Sequence, residues 1–156
     1  MTIVSLFSGA GGLDLGLIQA GNRVIWANDV AHDAVETYRR NIGAHIVEGD
    51  VRKLDFSMVP DADVVVGGFP CQGFSQANFR RIADDDRNFL YRSFRDLVRV
   101  KHPKFFIAEN VKGILSMRKG EAVAEIVRDF AEAGYLVEKH LVDMADYGVP
   151  QRKDAA

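Results

Sequence analysis

Along the chain, short apolar runs rich in β-branched residues alternate with amphipathic stretches, the pattern of an α/β fold built on a mostly parallel sheet. The first run, residues 3–7, ends in the turn Ser8-Gly9-Ala10-Gly11-Gly12, after which Leu13, Leu17 and Ala20 recur at helical spacing up to a stop at Gly21. A second strand at 24–27 stops at Asn28-Asp29, and the helix beyond it carries Ala34, Val35 and Tyr38 on one side. A third, 45–47, ends at Gly49-Asp50. Val64-Val65-Val66 is the continuous apolar run expected of a strand buried on both faces, and it delivers the chain to Gly67-Gly68-Phe69-Pro70-Cys71. Residues 72–88 are polar and charged, and longer than most connections, which predicts a functional or mobile loop. A helix follows with Leu90, Phe94, Leu97 and Val98 on one side, then a fifth strand at 104–108 running into Glu109-Asn110-Val111. The pattern closes with a helix turning Val123, Ile126, Val127 and Phe130 inward, a stop at Gly134, and a sixth strand over 135–142.

In open parallel sheets ligands bind beyond the carboxyl ends of the strands, so the residues just after each run are where chemistry is sought. Glycines in the first turn let backbone amides approach a ligand, and the helix N-terminus after them favours strong acceptors. A dinucleotide fingerprint is excluded, because the third glycine of G-x-G-x-x-G falls on Asp14. Asp29 stands where an acid accepts hydrogen bonds from ribose hydroxyls, and Asp50 could accept from an adenine amino group. Taken singly, each of these has a plainer reading as a tight turn or a helix cap. Three in succession at strand ends favour a nucleoside pocket.

Cys71 follows the valine strand, with Pro70 restricting the backbone before it and Gly67, Gly68 and Gly73 leaving room for a flat ligand. A lone cysteine is more often a small buried hydrophobe, so a nucleophilic role needs positive charge or a helix N-terminus nearby. Glu109, after an apolar strand, is the complementary group: partial desolvation would favour its protonated form and make it a proton donor. Without Cys71 at the end of the fourth strand, the preferred reading would be an ordinary strand-end acid paired with Lys112.

Composition narrows the setting. A chain of 156 residues is the size of one domain, enough to bury roughly two-thirds of its unfolded surface. The formal net charge of -2 supplies no global basic field, so any nucleic acid would be met by a local patch. One cysteine excludes an internal disulfide, the N-terminus lacks a secretory pattern, and no apolar run approaches the roughly 20 residues of a membrane span. A soluble, cytoplasmic protein without membrane contact is expected, and no metal-ligating set is identified.

Phe7-Ser8-Gly9-Ala10-Gly11-Gly12-Leu13, Gly68-Phe69-Pro70-Cys71-Gln72 and Glu109-Asn110-Val111, in that order, resemble the motifs of DNA cytosine-5 methyltransferases, particularly those of bacterial restriction-modification systems. The resemblance covers essentially the whole chain. It implies a Rossmann-like, S-adenosylmethionine-dependent methyltransferase domain over residues 1–156. It further implies that the Cys71 thiolate adds to C6 of a flipped cytosine in double-stranded DNA while Glu109 protonates N3. By matching motif positions, Phe7, Gly9, Ala10, Gly11, Gly12, Leu13, Asp29, Asp50, Val51, Pro70 and Leu90 fall where the family contacts its cofactor. Asn110 would hold the loop around Pro70. Gln72, Ser75, Arg80 and Arg81 fall in the loop that closes over the base. Arg92, Arg95 and Arg99 read as a solvated helix face.

Family members continue through a target-recognition region and a further returning motif, whereas Asp146-Tyr147-Gly148-Val149-Pro150-Gln151-Arg152 here runs into Lys153-Asp154-Ala155-Ala156. Ala155 occupies the position of one catalytic arginine. In the family fold a seventh strand inserts antiparallel between the fifth and sixth, so truncation before it is expected to leave exposed donors and acceptors near 135–142. A second chain supplying recognition would complete the enzyme. Two competing readings are a noncatalytic cofactor-binding remnant and an RNA cytosine methyltransferase.

Overall fold

A computed structural model describes residues 1–70 and 90–150, together with the backbone of 88–89 and 154–155. The chain divides into two compact units, one formed by residues 1–69 and 92–108, the other by 70–91 and 109–156.

The first unit holds a five-stranded sheet of β1 (Thr2–Leu6), β2 (Arg23–Asp29), β3 (Ile46–Glu48), β4 (Val64–Gly67) and β5 (Phe105–Ala108), in the order β3-β2-β1-β4-β5. Every neighbouring pair is parallel. Parallel pairing needs crossovers, and the amphipathic stretches supply them as α1 (Gly12–Gln19), α2 (His32–Asn41) and α3 (Asn88–Lys101). The five strands and three helices stand where the hydrophobic pattern places them, within two residues at each strand end.

Alternation along the strands builds a core on each face. Ile3, Val24, Val64 and Val66 pack with Val35 and Tyr38 of α2 and with Leu17 of α1. The opposite parity brings Phe106 to Phe94 of α3, with ring centroids 6.4 Å apart. Val64, Val65 and Val66 are all buried, as a two-faced strand requires. Gly67 ends β4 where a Cβ would stand 2.9 Å from the Phe94 ring and 3.0 Å from the Leu6 carbonyl oxygen, so the close approach of helix to strand requires its missing side chain.

Two expectations are corrected. The inward face of α1 is not Leu13, Leu17 and Ala20: Asp14 is the buried residue and Leu17 is half-buried, while Leu13 and Ala20 are exposed. The helix is rotated because Asp14 finds hydrogen-bond donors in the core, described below. The predicted sixth strand over 135–142 is also absent. Only Val142–Asp143 (β6) is extended and paired, antiparallel to Asp154–Ala155 (β7), in a separate two-stranded sheet rather than lacking a partner. The 135–141 segment has strand-like composition but no ladder to join, and Leu136 is 91% exposed; β-propensity records fit to a paired, half-buried surface, not an intrinsic preference.

The second unit contains α4 (Glu121–Glu132), which buries Ala122, Ile126 and Phe130. Tyr91 sets its ring edge-on to Phe130 and donates its hydroxyl to Asp129 Oδ2 at 3.0 Å. Among the described residues no helix is long and apolar enough to cross a membrane.

Candidate functional site

The turn after β1 is shaped by its backbone. Phe7 takes a left-handed conformation (φ 55°), and Gly9 (φ 54°) and Gly11 (φ 92°) share that region. The Ser8 amide and hydroxyl both donate to the Asn28 carbonyl, at 3.1 and 3.2 Å, and the Gly11 amide closes the turn onto the Ser8 carbonyl at 2.9 Å. Gly11 is the N-cap of α1 and brings no side chain to the first-turn amides. Those donors, at the positive end of the helix dipole, suit a carboxylate or another strong acceptor. Ala10, Gly12 and Leu13 lie exposed around the same turn.

The ends of β2 and β3 are tied to it. Asp29 accepts from the Gly9 amide through Oδ2 at 2.7 Å and from the Ala31 amide through Oδ1 at 2.9 Å. Asn28 is buried, and its amide nitrogen donates to the carbonyls of Val47 at 3.0 Å and Gly49 at 2.9 Å. The Gly49 amide returns a bond to the Asp29 carbonyl at 2.9 Å. Phe7, Gly9, Gly11, Asp29, Asp50 and Val51 therefore belong to three strand ends knitted by short polar bonds.

Asp50 is less open to a ligand than its position suggests. Its carboxylate caps the short 3-10 turn at Val51–Lys53 through the Arg52 amide and grips the Arg52 guanidinium, with a closest approach of 2.6 Å. That guanidinium, with the amide, holds the Asp50 carboxyl below its usual range. Val51 is buried beneath it.

The reactive-site candidates are described in part. Phe69 is buried, with its ring centroid 5.9 Å from that of Phe94. Pro70 is exposed and belongs to the second unit. Cys71, Gln72, Ser75, Arg80 and Arg81 lie outside the described residues, as does most of the loop expected at 72–88. Glu109, half-buried, is the first residue beyond β5, and buried Asn110 turns the chain there by accepting the Val111 amide on Oδ1 at 2.9 Å. Leu90, in the first turn of α3, is half-buried and belongs to the second unit. Of the arginines on α3, Arg92 is exposed, while Arg95 is half-buried and bonds Asp96 at 2.8 Å.

Sequence reasoning missed Asn28, Asp14 and Tyr38. Asn28 carried a faint signal as a polar residue at the end of an apolar strand. Asp14 carried one as the residue that breaks the glycine fingerprint. Tyr38 was read only as part of an apolar face.

The arrangement fits a nucleoside cofactor bearing a carboxylate: uncapped helix amides for the acid group, and Asp29, oriented by two backbone amides, for sugar hydroxyls. The family model for C-5 cytosine-specific DNA methylase matches residues 1–154. The chain is 47% identical over 154 residues to the type II methyltransferase M.NgoFVII of Neisseria gonorrhoeae, covering 97% of this chain and 41% of that protein. It is 44% identical to M.FnuDI of Fusobacterium nucleatum, covering 99% of this chain and 45% of that one. It thus spans less than half the length of these curated relatives. Among solved structures, a prophage-encoded chain of E. coli named as a DNA modification methyltransferase superposes with a TM-score of 0.82 at 33% identity, over 99% of this chain and 44% of that one. The S. pombe Dnmt2 methyltransferase, 20% identical with a TM-score of 0.80 over 99% of this chain and 49% of that one, shares the fold. With the glycine turn, the parallel order β3-β2-β1-β4-β5 and a family match running almost end to end, the chain has the Rossmann-like methyltransferase fold and belongs to the C-5 cytosine-specific DNA methylase family.

Proposed function

We propose that this chain is the S-adenosylmethionine-binding and catalytic part of an enzyme that methylates C5 of cytosine in double-stranded DNA, with target recognition supplied by a further segment or a second chain. The observation that carries the reading is positional. In the order of the sequence, the glycine turn, Asp29, the Pro70-Cys71 pair and Glu109 come after the segments that form β1, β2, β4 and β5, four strands of one parallel sheet. Relatives named type II methyltransferases, matched over nearly the whole of this chain, support it.

Phe7, the turn from Gly9 to Leu13, Asp29, Asp50, Val51, Pro70 and Leu90 would hold the cofactor, which when bound supplies an electrophilic methyl group. Cys71 as thiolate forms a bond to C6 of the base while Glu109 holds the pyrimidine edge and gives a proton to N3. Electron density pushed into the ring makes C5 nucleophilic. Once C5 has taken the methyl group, with S-adenosylhomocysteine as the leaving group, the C5 proton would pass to solvent, the sulfur–C6 bond would break to free the Cys71 thiolate, and N3 would return its proton to Glu109, restoring the aromatic ring. A stacked base cannot present C6 to a thiolate, so the cytosine must leave the helix. Gln72, Ser75, Arg80 and Arg81 are assigned to DNA contact, with the arginines on phosphates, where contacts position the duplex without reading its sequence.

The test is methyl transfer from tritiated S-adenosylmethionine to mixed-sequence duplex DNA. Unaltered chain and Cys71→Ser are compared, each alone and with the C-terminal remainder of the Neisseria relative added. Label that depends on Cys71 is expected in at least the complemented reaction; cofactor binding with no label in both conditions would overturn the catalytic assignment.

A further inference from the structure

A buried polar chain lies directly behind the cofactor turn. Asp14, in the first turn of α1, is fully buried and accepts from Ser5 Oγ at 2.7 Å and from the Tyr38 hydroxyl at 2.8 Å. Ser5 belongs to β1 and Tyr38 to α2, so three elements meet at one carboxyl group. Tyr38 is also fully buried, and its hydroxyl oxygen lies 3.2 Å from His45 Nε2, whose N–H tautomer would complete the chain by donating to it. The Tyr38 ring supports the turn itself: a Cβ on Gly11 would stand 2.8 Å from its Cδ2 and 3.0 Å from its Cε2.

Packing alone gives no reason for an acid at this position. A leucine at 14 beside Leu17 would bury more apolar surface and leave no polar group to satisfy, whereas a buried carboxyl loses its water. What the carboxyl offers is direction. Two hydroxyls from different elements meet its two oxygens, and hydrogen-bond geometry then limits both the rotation and the axial slide of the first helical turn. The same turn presents the uncapped amides that follow Gly11.

We infer that Asp14 and Tyr38 are positioning residues for the cofactor: through the Tyr38–Asp14–Ser5 bonds they hold the glycine turn and the first amides of α1 in the geometry that receives S-adenosylmethionine. This deepens the functional reading above and rests on it. Neither side chain touches the ligand, since both are sealed in the core.

The experiment is calorimetric titration of the chain with S-adenosylmethionine, paired with thermal melting of the ligand-free protein. Tyr38→Phe keeps the ring under Gly11 and removes only the hydroxyl. It should raise Kd about tenfold, the scale of one lost bond to a carboxyl group, when measured well below its melting temperature. In an active, complemented enzyme the same variant should raise KM for the cofactor and leave kcat nearly unchanged. Asp14→Leu combined with Tyr38→Phe and Ser5→Ala removes the carboxyl together with both hydroxyls that donate to it, and should recover much of the lost stability without recovering affinity. Unchanged Kd in Tyr38→Phe, or affinity that returns together with stability in the triple variant, would show a purely structural network and overturn the inference. No binding by the unaltered chain would instead remove the functional reading, and this inference with it.

Discussion

The Gly9 amide donates to Asp29 Oδ2 at 2.7 Å, so the acid placed for sugar hydroxyls also anchors the first glycine of the turn. Its other oxygen takes the Ala31 amide at 2.9 Å. Asp29→Ala should therefore act twice, freeing the turn and removing the acceptor. A stability loss of about 1–2 kcal/mol is expected, with cofactor affinity falling by more than that loss alone explains. Chemical denaturation and calorimetry on the same preparation separate the two effects.

Asn28 is the buried link between the ends of β2 and β3. Asn28→Ala leaves the Val47 and Gly49 carbonyls without the amide that serves both. The two carbonyls are only partly buried and can regain water in part, so about 1–2 kcal/mol of destabilisation is expected in urea titration, with the unfolding slope unchanged.

The two glycines of the turn should respond differently to alanine. At Gly9 a new Cβ meets nothing within 4 Å, leaving only the cost of a left-handed residue, about 1–2 kcal/mol. At Gly11 the same methyl would run into Ile42 Cδ1 and lie 2.8 Å from the Tyr38 ring, in a backbone of φ 92°. Gly11→Ala should melt lower than Gly9→Ala and bind the cofactor more weakly, because relieving the clash displaces the turn.

Acid should weaken the sheet through Asp63. Its carboxylate accepts from Lys104 Nζ at 2.7 Å, from the Thr2 amide at 2.8 Å and from the Thr2 hydroxyl at 3.0 Å, joining the starts of β1, β4 and β5. The Lys104 ammonium, followed by the Thr2 donors, holds its carboxyl well below the usual value of 3.8. A carboxyl depressed in the folded state stabilises fully above its unfolded value, and that contribution is lost as pH falls through the folded one. Asp14 has the opposite sign: burial raises its carboxyl above 3.8, so its linked contribution is present at low pH and declines as pH rises through the folded value. Asp63→Asn should flatten the acid limb of a melting-temperature profile below about pH 4, whereas Asp14→Asn should steepen the fall on acidification above about pH 4, between the unfolded and the raised folded value.

Hydrophobic periodicity alone located the five parallel strands and the inward faces of α2 and α3, because burial on a sheet or helix repeats with a fixed period that polar substitutions interrupt only at the ends. The motif residues after β1, β2, β4 and β5 were legible for a related reason: strand ends are where a parallel sheet exposes backbone and side chains to a ligand, and glycine, proline and acids stand out against apolar runs. Tertiary structure decided what spacing could not. It rotated α1 so that Asp14 rather than Leu13 faces inward, since Ser5 and Tyr38, 9 and 24 positions away along the chain, supply the donors that make a buried carboxyl tolerable. It gave Asp50 to Arg52, a pairing that competes with the ligand expected there. It left 135–141 out of any strand, because an extended segment becomes a strand only when another backbone satisfies its donors and acceptors, and pairing of that kind is settled between distant parts of the chain.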